Sequence, residues 1–119
     1  MAFRFEHLNI WSDSLAYANE IYKLTKLFPR EELYSLSDQL KRSASSISTN
    51  IADGSGSSSK KDFSHFLDIG IKSTYETVSL LYLAFQQSYI TKDTKDELYI
   101  KAEQIVKKIQ VFRASLKNP

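Results

Sequence analysis

The chain has 119 residues, no cysteine, three glycines, two prolines and a formal net charge of +2 at pH 7. That length suits one domain, 1–119, able to bury roughly 65% of its unfolded surface without a metal or disulfide staple. The missing cysteines exclude disulfide scaffolds, zinc–thiolate and iron–sulfur sites and thiol catalysis, while so mild a basic excess permits nucleic-acid binding without implying it.

Residues 1–9 read as a short arm whose Phe3 and Phe5 are expected to pack on the body of the protein or on a neighbouring copy. Its opening, Met1-Ala2-Phe3-Arg4-Phe5-Glu6, carries charges where a signal peptide needs an apolar run. No stretch approaches the ~18 apolar residues of a membrane span. The expected setting is the cytoplasm, with no membrane partner.

A first helix is predicted over about 10–28, capped by Asn9, with Trp11, Leu15, Ala18, Tyr22 and Thr25 on one stripe and Ile21, Leu24 and Phe28 widening it. Phe28-Pro29 breaks it, because a proline disfavours helical geometry in the residue before it. A second helix is predicted over about 31–53. Its apolar stripe is Leu33, Leu36, Leu40, Ala44, Ile47 and Ile51, and Gly54 is expected to end it in the left-handed conformation. Beside that stripe run Gln39, Arg42, Ser43, Ser46 and Asn50, polar and mostly small, as suits close packing with hydrogen bonds across the contact.

Gly54 to Ser59 is a polar linker without the spacing of a phosphate-binding loop. Ser59 and Asp62 have capping-box spacing and open a third helix over about 60–88. Phe63, Phe66, Leu67, Gly70, Thr74, Val78, Leu81 and Phe85 form one stripe on it, and Ile69, Ser73, Glu76, Leu80 and Leu83 a second, so this helix has two partners to bury against. Gly70 inside it implies a close approach of another helix. Thr91 caps a fourth helix over about 92–115, where Leu98, Ala102, Ile105, Ile109, Phe112 and Leu116 make a left-handed, bundle-type seam. Residues 117–119 are expected to fray. Four amphipathic helices joined by short breaks give an all-α fold, an antiparallel up-down-up-down left-handed four-helix bundle.

Folding the second and third helices back on each other brings Arg42 level with Ser73 and Gln39 with Glu76. An Arg42–Glu76 ion pair supported by Gln39, Ser46 or Ser73, with Asn50 on the same stripe, follows as a buried polar network. Its plain reading is a device that fixes register; its functional reading is an anion or nucleic-acid site on Arg42.

Convergent chemistry is scarce. His7 and His65 lie far apart, no helical metal-ligand spacing exists, and the carboxylates fall at helix starts and on charged faces. No catalytic, cofactor or metal site is predicted. The candidate nucleic-acid contacts are Lys41, Arg42, Lys60, Lys61, Lys101, Lys107 and Lys108; several copies together could build a positive surface from such lysines, whereas in a single copy ordinary solvated helix faces are the favoured reading.

The run Gln39-Leu40-Lys41-Arg42 closing in Asn50-Ile51-Ala52-Asp53-Gly54 resembles the four-helix-bundle proteins named for intervening sequences of bacterial 23S ribosomal RNA genes. Phe5, Leu8 and Trp11, the junction Leu27 to Leu36, and Lys61-Asp62-Phe63 through Phe66-Leu67 to Ser73 and Glu76 extend the resemblance over nearly the whole chain. The departures are Lys41 where the family has a second arginine, Ser48 where it has proline and Asp53 where it has glutamate. The resemblance implies a left-handed bundle assembling into a ring, a homopentamer. A related group, accessory proteins of diversity-generating retroelements, forms basic pentameric rings that bind nucleic acid and a reverse transcriptase. The leading expectation is therefore a non-enzymatic oligomeric scaffold that contacts RNA or a ribonucleoprotein, and the alternative is an accessory protein for a reverse-transcriptase-like partner.

Overall fold

The computed structural model describes residues 2–116, so the expectation for 117–119 lies outside the described residues. Four helices follow a short 3-10 turn at Arg4–His7: α1 (Asn9–Thr25), α2 (Leu36–Ser55), α3 (Lys60–Gln86) and α4 (Lys92–Ser115). No strand occurs among the described residues, and no helix among them is long and apolar enough to cross a membrane. The helices stand at the corners of a square. α2 packs most extensively on α3 and then on α1, while α1 and α3, like α2 and α4, face across diagonals. Contacts run in opposite directions along neighbours. Asp13 meets Lys108 and Glu20 meets Lys101, Ser43 meets Thr77 and Ser46 meets Ser73, and Phe63 meets Phe112 while Tyr82 meets Lys95.

The predicted stripes supply most of the core: Leu36, Leu40, Ala44, Ile47 and Ile51 from α2, Phe63, Leu67 and Leu81 from α3, and Leu98, Ala102, Ile105 and Ile109 from α4. α1 is rotated from its expected face. Leu15 and Tyr22 are exposed, and Ile10, Ser14, Tyr17 and Ile21 point inward. Tyr17 is tolerated there because its hydroxyl donates to the Leu98 carbonyl at 3.1 Å, and Ser14 donates to the Ile10 carbonyl at 2.7 Å. Burial, with the Glu20 charge nearby, raises the Tyr17 pKa well above its ordinary value. Leu8, not Asn9, occupies the cap of α1, without a side-chain bond. The aromatic arm packs on the bundle, with Phe5 4.7 Å from Trp11 and Arg4 5.0 Å above the Phe63 ring.

Three boundaries differ from expectation. α1 stops at Thr25 and tightens into 3-10 geometry, which lets Phe28 turn inward against Tyr89, 5.4 Å between centroids. α3 stops at Gln86, where Ser88 at φ 64° takes the left-handed position and the Tyr89 N–H closes on the Ala84 carbonyl at 3.0 Å. α2 starts five residues late, after a 3-10 turn at Arg30–Glu32, so Leu33 lies outside the helix and is exposed. The cause is Glu32. Its carboxylate accepts from Ser35 Oγ, from the Leu36 N–H at 3.4 Å and from the Tyr89 hydroxyl at 2.8 Å, acting as a cap for α2 from four residues upstream.

Gly54 and Gly70 exchange roles relative to expectation. No glycine has a positive φ, and Gly54 sits within α2, which runs on to Ser55. A Cβ on Gly54 would lie 2.7 Å from Phe63 Cδ1 and 2.8 Å from Phe66 Cβ, so this glycine serves the approach of α3 rather than a helix stop. A Cβ on Gly70 would meet only the Ile47 carbonyl at 3.7 Å, an ordinary contact.

Gly54→Ala should therefore lower stability by about 1–3 kcal/mol, since Phe66 Cβ cannot yield without its backbone. Gly70→Ala should raise stability by up to about 1 kcal/mol through helix propensity. Urea unfolding of both variants checks the contrast. Acid should expose the Glu32 clamp: hydrogen bonds from Ser35 and then Tyr89 hold its pKa below the ordinary 4.5. A depressed carboxylate contributes stability that is present above 4.5 and lost as pH falls through its folded value. The urea midpoint of the wild type should fall on acidification through that window, and that of Glu32→Gln should fall less.

Candidate functional site

Gln39, Arg42, Ser43, Ser46, Ser73 and Glu76 line one open groove between α2 and α3, so the predicted polar network converges except at its charges. The buried part is made of hydroxyls. Ser73 Oγ donates to Ser46 Oγ at 2.9 Å, and Thr77 Oγ1 lies 2.8 Å from Ser43 Oγ. Asn50 joins from the next turn, its Nδ2 donating to both the Ser46 hydroxyl and carbonyl at 2.8 Å. The buried Arg42–Glu76 ion pair is not formed. The Arg42 side chain is 81% exposed and pairs with Asp38 one turn away at 3.4 Å, while Glu76 and Gln39 are exposed. Water solvates two charged tips at the rim more cheaply than a seam of small side chains could. Thr77, the most deeply buried member of the hydroxyl network, was missing from the expected set. Its place three and four residues from Thr74 and Ser73 on α3 was the available signal.

The seven basic candidates separate. Lys101 bonds Glu20 at 2.6 Å and Lys108 bonds Asp13 at 2.8 Å, so these two stitch α4 to α1. The Glu20 hydrogen bond raises the Lys101 pKa. Arg42 is taken by Asp38, and Lys41 lies 5.7 Å over the Tyr22 ring. Among the described residues Lys60, Lys61 and Lys107 have no carboxylate partner. Lys60 and Lys61 line a second groove, between the start of α3 and the end of α4, together with His65, Asp68 and Arg113. There Arg113 donates to Asp68 at 3.1 Å and Lys72 bridges the same carboxylate at 3.4 Å. Partial burial opposes ionisation of Asp68, but these two cations overcome it and hold its pKa below the ordinary value.

Lys107 belongs to a third groove, between α3 and α4, walled by Tyr75, Val78, Tyr99 and Val106. Tyr75 is 66% exposed, and Tyr82, Leu83, Ile100 and Val111 add further apolar surface on the same two helices. Among the described residues no group of three or more His, Cys, Asp and Glu is placed to hold a metal ion.

The sequence pattern of one family, described as 23S rRNA-intervening sequence protein, matches residues 6–111. Among solved structures, the chain is similar to a protein with unknown function from the S23 ribosomal protein family of Bacteroides thetaiotaomicron VPI-5482. The TM-score is 0.81 and the identity 28%, covering 87% of this chain and 97% of that one. No curated protein matches.

Thr77→Val should destabilise by about 1–2 kcal/mol, because it removes a buried hydroxyl that bonds both Ser43 Oγ and the Ser73 carbonyl, leaving Ser43 only its bond to the Leu40 carbonyl. Glu76→Ala should stay within about 0.5 kcal/mol of wild type, as for other exposed positions. Paired chemical denaturation curves test this order; a larger loss for Glu76→Ala would restore the buried pair.

Proposed function

The chain belongs to the 23S rRNA-intervening sequence protein family, and we propose that it is a non-enzymatic helical scaffold that assembles with copies of itself and contacts RNA or a ribonucleoprotein in the cytoplasm. The observation that carries the assembly is the apolar surface left over on α3 and α4. Tyr75 and Tyr99 flank an open groove lined by Val78 and Val106, and Tyr75 is 66% exposed there. A protomer this small gains by covering such a surface, and another copy is the partner always present. A ring of five is the closed form that the family resemblance implies. The groups with shifted pKa values support a non-catalytic role, since each is held by a structural partner: Tyr17 by Leu98, Glu32 by Tyr89 and Asp68 by Arg113. An accessory role beside a reverse transcriptase draws less support, because Lys101 and Lys108, its strongest helical candidates, are neutralised by α1.

The mass in solution tests this reading. The wild type should sediment as an assembly of several 13.7 kDa protomers, five for a closed pentamer. Tyr75→Asp/Tyr99→Asp should shift it toward the single protomer with helix content unchanged. A wild type that sediments as a monomer at every concentration overturns the assembly.

A further inference from the structure

We propose that the groove between the first turns of α3 and the last turns of α4 is the RNA-contacting surface of this protein, with Lys60, Lys61, Lys72 and Arg113 as contacts to successive backbone phosphates. This rests on the RNA reading above and narrows it to one face.

Charge is the first argument. Among the described residues Asp68 is the one carboxylate that lines the groove, and both Arg113 and Lys72 hold it. Among the described residues, three lining cations, Lys60, Lys61 and Arg113, face one carboxylate, a local excess of two positive charges, and Lys72 stands at the margin through its bridge to Asp68. Such a local cationic excess is the kind of electrostatic footprint a polyanion requires. Asp62, in the same first helical turn, does not line the groove.

Preorganisation is the second. The Arg113 side chain is only 27% exposed, and Asp68 takes its Nη1. That fixes the plane of the guanidinium while leaving most of its five donors for a phosphate oxygen. Ser64 adds a neutral hydroxyl to the groove wall. Among the described residues Lys60 and Lys61 have no ion pair to break, unlike Lys101 and Lys108.

Length is the third. Lys61 and Lys72 are eleven residues apart and share one face of α3, about 17 Å along it at 1.5 Å per residue. A row of cations that long suits a chain of phosphates rather than a single free anion. Because the contacts go to backbone and not to base edges, binding should be sequence-tolerant and steeply salt-dependent.

The test titrates the full-length protein with a fluorescently labelled RNA hairpin at about 50 and 200 mM salt. Lys60→Gln/Lys61→Gln/Lys72→Gln is compared with Lys23→Gln/Lys26→Gln/Arg30→Gln, a loss of the same three charges at the opposite end of the bundle. All are checked first for wild-type mass and helix content. Wild type and the far-end variant should bind alike. The groove variant should bind about tenfold or more weakly at the lower salt, with a log–log salt slope shallower by about 2 to 3. Undiminished binding by the groove variant overturns the site and leaves the RNA reading standing. Equal losses in both variants reduce the contact to bulk charge and overturn the site as well. A wild type that binds at neither salt removes the RNA reading and the site together. Complete displacement of the hairpin by inorganic phosphate, at matched ionic strength, overturns the polymer in favour of a small anion.

Discussion

The close approach of α2 to α3 is the constraint on which the rest of the structure depends. It is possible because almost nothing large lies between the two helices. Gly54 lets the Phe63 ring and Phe66 Cβ come within a distance that no other residue would allow. Further along, hydroxyls replace bulk: Ser46 meets Ser73 and Ser43 meets Thr77 at hydrogen-bond distance. Thr74 and Thr77 also return hydrogen bonds to the Gly70 and Ser73 carbonyls, so no member of the seam is buried without a partner. Short polar side chains do here what interdigitated leucines do in a conventional core, and they add a register. A slip of one residue would separate each hydroxyl pair.

This pair of helices then dictates what the other two can do. α1 lies on α2 and reaches α4 through Tyr17 and two surface ion pairs, Asp13–Lys108 and Glu20–Lys101. α4 packs on α3 along a narrower front and keeps Tyr99, Ile100 and Val111 outside. The surface available for assembly is therefore a consequence of how fully α2 and α3 satisfy each other. The cationic groove arises in the same way. The tight turn after Ser55 brings Lys60 and Lys61 out of the bundle at its end, where the last turns of α4 place Arg113 beside Asp68.

Periodicity made the four helices and most of the core legible, because Leu40, Ala44, Ile47 and Ile51, or Leu98, Ala102, Ile105 and Ile109, repeat without interruption. Caps with side-chain bonds were equally readable, as at Ser59 and Thr91. What could not be read depended on partners distant in sequence. Tyr17 enters the core because of a carbonyl 81 residues away. α2 starts late because Glu32 is bound by Tyr89, 57 residues on. Gly54 looked like a stop signal, and only the position of Phe63 shows it to be a contact. The hydroxyl network was placed on the correct faces, but its charges were assigned inward. Helical spacing reports which side of a helix a residue occupies; it does not report how far a long side chain such as Arg42 can reach back to water. Likewise, lysines on one stripe look identical in sequence whether an acid from another helix meets them or not.

Native-state hydrogen exchange tests the central place of the α2–α3 seam most directly, because it ranks local stability residue by residue. The backbone amides of residues 43–51 and 67–77 should be the slowest to exchange and should open only with global unfolding, ahead of those in α1 and α4. Amides of α2 that exchange as fast as those of α4, or that open in a smaller unit while α1 and α4 stay protected, would contradict this account of what holds the molecule together.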